Sequence, residues 1–317
     1  MKENAIIQVE NLQKTYPNGT KAVQGITLDI REGEIFSLLG PNGAGKSTTI
    51  NMMVGLLEPS SGSVTICNDK IKARSKIIKE KVGLVPQEIN LWDYLTVEEN
   101  LFFLAKIYAM PKSLAQERVN SLIETIHLGS HRKQLAKNLS GGLKRRLQVI
   151  MGLVHDPEIV MFDEPTPGLD PQSRLLVLDY IQALAKKEHK TILLTTHFID
   201  ESERISDRVA IIDHGKLLVL STVDALKESM GEGDALELNI EPIEKVEDAR
   251  KIISSTIDSS IVSSGNLLIL RSPGLIQRIP DILTNLERAG ATVANMKVRK
   301  TSLEDVFISL TGRQLRD

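Results

Sequence analysis

Cysteine is nearly absent from this chain: Cys67 stands alone among 317 residues, so no internal disulfide can form and a reducing compartment is expected. Aromatic residues are scarce too, at 3%, which leaves few platforms on which single-stranded bases could stack. The net charge of −2 gives no electrostatic ground for expecting nucleic acid as a partner. No run approaches the roughly eighteen consecutive apolar residues that span a bilayer, and the opening MKENAIIQVE has no signal-peptide core. The chain is therefore not expected to cross a membrane by itself. Apart from His197, the histidines follow no metal-ligand spacing. What remains is the balance of a soluble globular protein, 41% hydrophobic and 25% charged, long enough for two domains.

Against these absences stands GPNGAGKST, residues 40–48, which fits G-x-x-x-x-G-K-[ST] with Gly40, Gly45, Lys46 and Ser47 in the fixed places. The preceding EIFSLLG, residues 34–40, reads as a buried strand, and residues 46–57 carry apolar positions at helical spacing. Glycines let successive N–H groups face one anion, the helix N-terminus adds its positive end, and Lys46 can reach terminal phosphates. Ser47 is left to ligate Mg²⁺. Chance would produce the pattern in about one chain in a hundred of this length, which disfavours an ordinary glycine turn.

Three further stretches carry chemistry. NLSGGLKRRL, residues 138–147, opens a helix with Ser140 as N-cap, and Gly141 and Gly142 leave backbone donors exposed, a second anion site. IVMFDEP, residues 159–165, is an apolar strand with Asp163 and Glu164 at its carboxyl end, where parallel sheets bind ligands. Alternation is expected to send the two acids opposite ways, one to the Mg²⁺ shell and one to the attacking water. TILLTTH, residues 191–197, is a third such strand and ends in His197. The basic cluster 144–146 reads as a solvated helix face in preference to a phosphate or partner contact.

In this order the motifs resemble those of the ATP-binding subunits of ABC transporters, from residue 9 to about 221. GPNGAGKST is similar to the Walker A loop, Gln87 in LVPQE to the Q-loop glutamine, LSGGL to the signature, IVMFDEP to Walker B, PGLD (167–170) to the D-loop and His197 to the switch histidine. Leu143 stands where many members have Gln, as in subunits resembling antibiotic and multidrug exporters of the daunorubicin-exporter type. The resemblance implies an α/β fold with a P-loop NTPase core, an antiparallel β-subdomain and a helical insert at about 88–152.

The same resemblance implies ATP and Mg²⁺ as cofactors and a set of roles. Gly40, Pro41, Asn42, Gly43, Ala44, Gly45, Lys46, Ser47 and Thr48 would hold the phosphates, and Tyr16 would stack on adenine. Ser47, Gln87 and Asp163 would surround Mg²⁺, Glu164 would be the general base, and Lys46 and His197 would contact the γ phosphate. Ser140 and Gly142 would reach an ATP held by the opposite subunit of a homodimer with two ATPs, and Asp170 would line that interface or cap the helix at Pro171. The partner would be an integral membrane permease on separate chains, most simply an exporter, with this subunit peripheral on the cytoplasmic face. INLWDYLTVEEN, residues 89–100, offers Trp92 and Tyr94 as docking anchors or as core. A soluble ATPase acting on ribosomes or DNA, and a nucleotide sensor without turnover, are the alternatives.

Along the chain, residues 7–33 read as antiparallel strands around the PNG turn, 96–152 as mostly helical and 157–222 as alternating strands and helices. GEGD at 231–234 reads as a linker near a boundary between domains 1–225 and 226–317. Beyond it, ALELNI, a helix from Val246, SIVSSGNLLILRS, a helix over 275–289, ATVANMKVRK and a helix from Ser302 predict a small C-terminal α+β domain of ferredoxin-like order. Ser302 or Thr301 is expected to cap the last helix, and the domain's role is dimer support, regulation or simple stabilisation.

Overall fold

The structure is a computed structural model that describes residues 5–72, 75–229, 235–256, 260–272, 275–299 and 302–312. Its contacts divide the chain into Met1–Leu220 and Ser221–Asp317. In the first unit β1 (Ala5–Thr15) and β2 (Lys21–Arg31) form a hairpin, followed by β3 (Ile35–Leu39), α1 (Lys46–Met53), β4 (Ser61–Ile66), β5 (Asp69–Lys70), α2 (Lys76–Lys81) and β6 (Val82–Val85). A helical block of α3 (Val97–Ile107), α4 (Lys112–Thr125) and α5 (Gly141–Met151) comes next. Then β7 (Ile159–Asp163), α6 (Pro171–Glu188), β8 (Thr191–Thr196), α7 (Ile199–Ile205), β9 (Arg208–Asp213) and β10 (Lys216–Thr222) alternate as expected.

Two sheets result. The antiparallel one runs β2-β1-β4-β5, and the six-stranded one runs β10-β9-β3-β8-β7-β6 with parallel pairing from β9 through β6. The strands β3, β7 and β8 are buried along their whole length, and alternate residues feed two different cores. Met161, Leu193 and Phe36 join the core that holds α1 and the antiparallel sheet, while Val160, Phe162, Ile192 and Leu194 join the core of the helical block. Period-two alternation thus appears as two apolar faces, each buried side chain contributing roughly 1.5–3 kcal/mol. The parallel register places the carboxyl ends of β3, β8 and β7 side by side, which gathers residues distant in sequence at one rim.

The first helix is shorter than its periodicity predicts. It stops at Met53 and turns at Gly55, whose φ is +69° and whose Cβ, if it had one, would lie 2.8 Å from the Lys72 carbonyl oxygen. The helical block begins with a capping box: Glu99 accepts from the Thr96 N–H at 2.7 Å, and Thr96 Oγ1 accepts from the Glu99 N–H at 3.3 Å. Among the described residues no helix is long and apolar enough to cross a membrane.

The second unit contains α8 (Val223–Glu228), β11 (Ala235–Glu241), α9 (Val246–Thr256), β12 (Ser260–Ser264), β13 (Leu267–Arg271), α10 (Leu275–Arg288), β14 (Thr292–Arg299) and α11 (Leu303–Thr311). Its sheet order, β12-β13-β11-β14, places the first strand between the third and fourth, which is the ferredoxin-like arrangement. Leu236, Leu238, Leu268 and Leu270 pack with Ala249, Ile253, Ile282 and Leu286 of α9 and α10 on one face. On the other face Ile308 of α11 meets Ala235 and Ile269. Ser302 is the N-cap of α11, its N–H donating to Asp305 at 2.9 Å. The division before Ser221 precedes the expected 225 because α8 packs with α11. The GEGD stretch and Thr301 lie outside the described residues.

Candidate active site

The loop of residues 40–48 links the end of β3 to α1, and its backbone explains its glycines. Gly45 caps α1 at φ +101°, where a Cβ would lie 2.4 Å from the Ala22 carbonyl oxygen, and Gly43 sits at φ +80° in open space. No side chain caps the helix, so its first-turn N–H groups are available to an anion. The Lys46 ammonium is buried at 4% exposure and donates to the carbonyls of Gly40 at 2.8 Å and Pro41 at 3.1 Å. It is also 2.9 Å from Glu164 Oε1.

Glu164 is where the sequence-predicted groups converge. Its Oε2 accepts from Gln87 Nε2 at 3.3 Å and lies 3.2 Å from His197 Nδ1, while its carboxyl is 5% exposed. Asp163 Oδ1 accepts from the Ser47 hydroxyl at 3.0 Å and from Thr195 Oγ1 at 2.6 Å. The acids therefore do not part to opposite faces as simple alternation predicts. Asp163 is the last residue of β7, whereas Glu164 has left the pleat at φ +46°, and the two carboxylates reach the adjacent residues Ser47 and Lys46. A left-handed Glu costs roughly 1–2 kcal/mol and needs surroundings that hold it.

Other predicted residues divide into two groups. Tyr16, half-buried at the β1–β2 turn, places its hydroxyl 3.4 Å from Thr48 Oγ1, with Lys14 Nζ 5.7 Å from its ring centroid. Ser140 caps α5, accepting from the Leu143 N–H at 3.3 Å. Gly142 lies against the start of α6: a Cβ there would be 2.9 Å from Ser173 Oγ and 3.6 Å from Asp170 Oδ2. Asp170 caps α6 through the Ser173 N–H at 3.0 Å, and the Ser173 bonds hold its carboxyl below the usual range. Among the described residues no hydrogen bond joins Ser140 or Gly142 to residues 40–48 of the same chain.

Trp92 and Tyr94 are exposed, at 38% and 78%, so they are not core; Trp92 meets Phe103 edge-on at 4.5 Å. Beside Trp92 lies a groove of about 760 Å³ lined by Leu56, Lys76, Lys79, Leu104 and Tyr108. The cluster 144–146 departs further from expectation. Arg145 is 3% exposed and bonded to main-chain carbonyls, and Arg146 donates to Ser173 Oγ at 3.3 Å, because α5 turns this side into the protein.

Thr195, Thr196 and Glu201 were not legible in the sequence. Thr195 lies opposite Asp163 in the β7–β8 register and also accepts from the Glu164 N–H at 3.0 Å. Glu201, 1% exposed, accepts from Thr196 at 2.7 Å, from Arg174 Nε at 2.7 Å and from Thr166, tying the segment after Glu164 to that before His197. The one available signal was TTH itself, since hydroxyls beside a strand-end histidine can serve a neighbouring strand. Thr195→Val keeps the shape and deletes the hydroxyl. For the ATPase that the motif resemblance implies, this change is expected to slow phosphate release at saturating ATP by roughly fivefold, about 1 kcal/mol. An unchanged rate would remove Thr195 from the site.

Chemically, the arrangement offers backbone donors and one buried cation to a polyphosphate, and hard oxygen donors from Ser47, Gln87 and Asp163 to a divalent ion. Among the described residues no group of three or more His, Cys, Asp or Glu side chains gathers as a metal cage. Few protein ligands, with phosphate oxygens completing the shell, suit Mg²⁺.

Comparison with known proteins bears on the family. Residues 23–167 match the family model described as ABC transporter. Over 98% of its length the chain is 34% identical to the linearmycin resistance ATP-binding protein of Bacillus subtilis (strain 168), covering 100% of that protein. It is likewise 34% identical, over 98% of its length, to the daunorubicin/doxorubicin resistance ATP-binding protein of Streptomyces peucetius, covering 94% of it. The Nod factor export ATP-binding protein I of Ralstonia nicotianae is similar at 34% identity, with 98% of this chain and 95% of that protein covered. Among solved structures, a dimeric ATP-binding cassette in a post-hydrolysis state with ADP and Pi superposes with a TM-score of 0.63 at 28% identity, over 68% of this chain and 98% of that one.

Proposed function

The chain belongs to the ABC transporter family as an ATP-binding subunit of the exporter type, and from that premise we propose that it hydrolyses ATP in a face-to-face dimer to energise a separate permease. The observation that carries the proposal is the convergence of Lys46, Gln87 and His197 on the buried Glu164 carboxylate. Lys46 and the N–H groups of residues 43–48 bind the β and γ phosphates, and Tyr16 takes the adenine. Ser47, Gln87 and Asp163 would hold Mg²⁺, which when bound neutralises phosphate charge and orients the γ group. Glu164 accepts the proton of the attacking water, and His197 helps to hold that water and the γ phosphate.

Gly142, set against Ser173 and Asp170, and Ser140, which caps α5, would close on the ATP of a second copy. ATP favours the closed dimer only through contacts made in that state, and these are the contacts available to supply the difference. The permease would dock at the groove beside Trp92, so that the subunit lies on the cytoplasmic face of the membrane. Phosphate release by the purified full-length chain with ATP and Mg²⁺ tests the proposal. Nucleotide bound with no turnover would favour the sensing alternative, and recovery of a multi-span protein by pull-down from detergent extract would support the permease.

A further inference from the structure

A guanidinium removed from water and set against neutral oxygens is an expensive way to hold a helix, since an apolar side chain would pack there without the desolvation cost. Arg145 of α5 is in that position. Its Nε donates to the Pro165 carbonyl at 2.6 Å, and its Nη2 donates to the carbonyls of Glu164 and, at 3.4 Å, Asp163. Its Nη1 donates to Pro86 O at 2.7 Å, Gln87 O at 3.1 Å and Gln148 Oε1 at 2.6 Å, and Gln148 Nε2 in turn donates to Glu88 O. Burial pushes its pKa down to about 10, against the pull of the Asp163 and Glu164 charges.

The placement has a geometric logic. The β6–β7 ladder ends at the pair Val85 and Phe162, and beyond it the two segments part, one leading to Gln87 and the other to Glu164. Arg145 bridges them where backbone pairing has stopped, with a rigid planar group whose donors point both ways. Of the residues whose carbonyls it takes, Glu164 is the one in the left-handed conformation, and the Glu164 N–H donates to Thr195. The side chains that emerge from the bridged segments, Gln87 and Glu164, stand 3.3 Å apart.

We propose that Arg145 is a positioning residue for hydrolysis: it locks the backbone of residues 163–165 to that of residues 86–87, and so sets the place of the Glu164 carboxylate relative to Gln87. Movement of the segment after Gln87, which borders the groove beside Trp92, is then carried to the Glu164 backbone through Arg145, in addition to the direct Gln87–Glu164 contact. The role rests on Glu164 being the base.

The test is phosphate release by the full-length chain at varied ATP. Arg145→Met, which can cross neither gap with a hydrogen bond, is expected to lower kcat by about tenfold while KM for ATP stays within about threefold, because the phosphate loop is untouched. Arg145→Lys, a single point charge, is expected to recover part of that loss and carries the test if the Met variant does not fold. In a Glu164→Gln background, single-turnover rates with and without Arg145→Lys are expected to agree within about twofold. Folded Lys and Met variants with wild-type kcat, or an undiminished Arg145 effect in the Glu164→Gln background, would overturn the role of Arg145. Wild-type turnover in Glu164→Gln alone would instead overturn the base assignment, so the two failures are separable.

Discussion

Glu164→Gln is expected to cut steady-state hydrolysis by roughly 10²–10⁴-fold and to leave ATP binding intact. The amide is nearly the shape of the carboxylate and can still meet Gln87 and His197, but it cannot accept the proton of the attacking water. Binding has a second reason to survive. In the wild type the Lys46 ammonium is 2.9 Å from Glu164, both groups almost wholly buried, so an incoming triphosphate competes with the carboxylate for that cation. Glu164→Gln removes the competitor and leaves Lys46 without a counter-charge until ATP arrives. The ATP-induced rise in melting temperature is therefore expected to exceed that of the wild type. With hydrolysis blocked, the ATP-bound dimer should persist on a sizing column in Mg²⁺; a protein that stayed monomeric there would count against the face-to-face dimer.

Lys46→Ala is expected to weaken nucleotide binding by about 1.5–3 kcal/mol, roughly 10- to 150-fold in Kd. In the proposed site the lost interactions are charge-assisted bonds to phosphate, and the variant also leaves Glu164 as a buried carboxylate without its cation, which would repel the γ phosphate. Fluorescent-nucleotide titration reads the effect directly. Discrimination should follow the same cause, with affinity falling more for ATP than for ADP, which lacks the γ phosphate. A Kd within twofold of wild type would mean that backbone N–H groups alone hold the phosphates.

The two variants separate the functions of two residues that touch. Both predictions came from motifs legible as strings, and the structure sharpened each by bringing Lys46 and Glu164 into one ion pair. The phosphate loop could be read because its chemistry depends on nearest neighbours along the chain: glycines for the turn, a lysine and serine at the helix start. The buried strands could be read because apolar runs of this length have few other places to go. Ferredoxin-like order in the second unit followed from period-two stretches such as ALELNI alternating with helical ones.

Arg145 shows where that legibility ends. KRR after a glycine-rich helix start looks like a solvated face, and Lys144 and Arg146 are only partly buried, yet the residue between them is 3% exposed. A helix periodicity says which residues share a face, not what lies across from that face. Thr195 and Glu201 escaped for the same reason, since each acts on a segment more than thirty residues away in the chain.

From residue order alone come the candidate phosphate loop, the acid pair and the strand-end histidine, because each depends on local spacing or on hydrophobic period. Tertiary packing decided which groups meet. The parallel register of β7 and β8 set Thr195 beside Asp163, the left-handed turn at Glu164 brought both acids to the phosphate loop, and the burial of α5 made Arg145 a bridge. Contacts of that kind depend on the relative placement of separate elements, which the packing of two apolar cores settles and no short window of sequence contains.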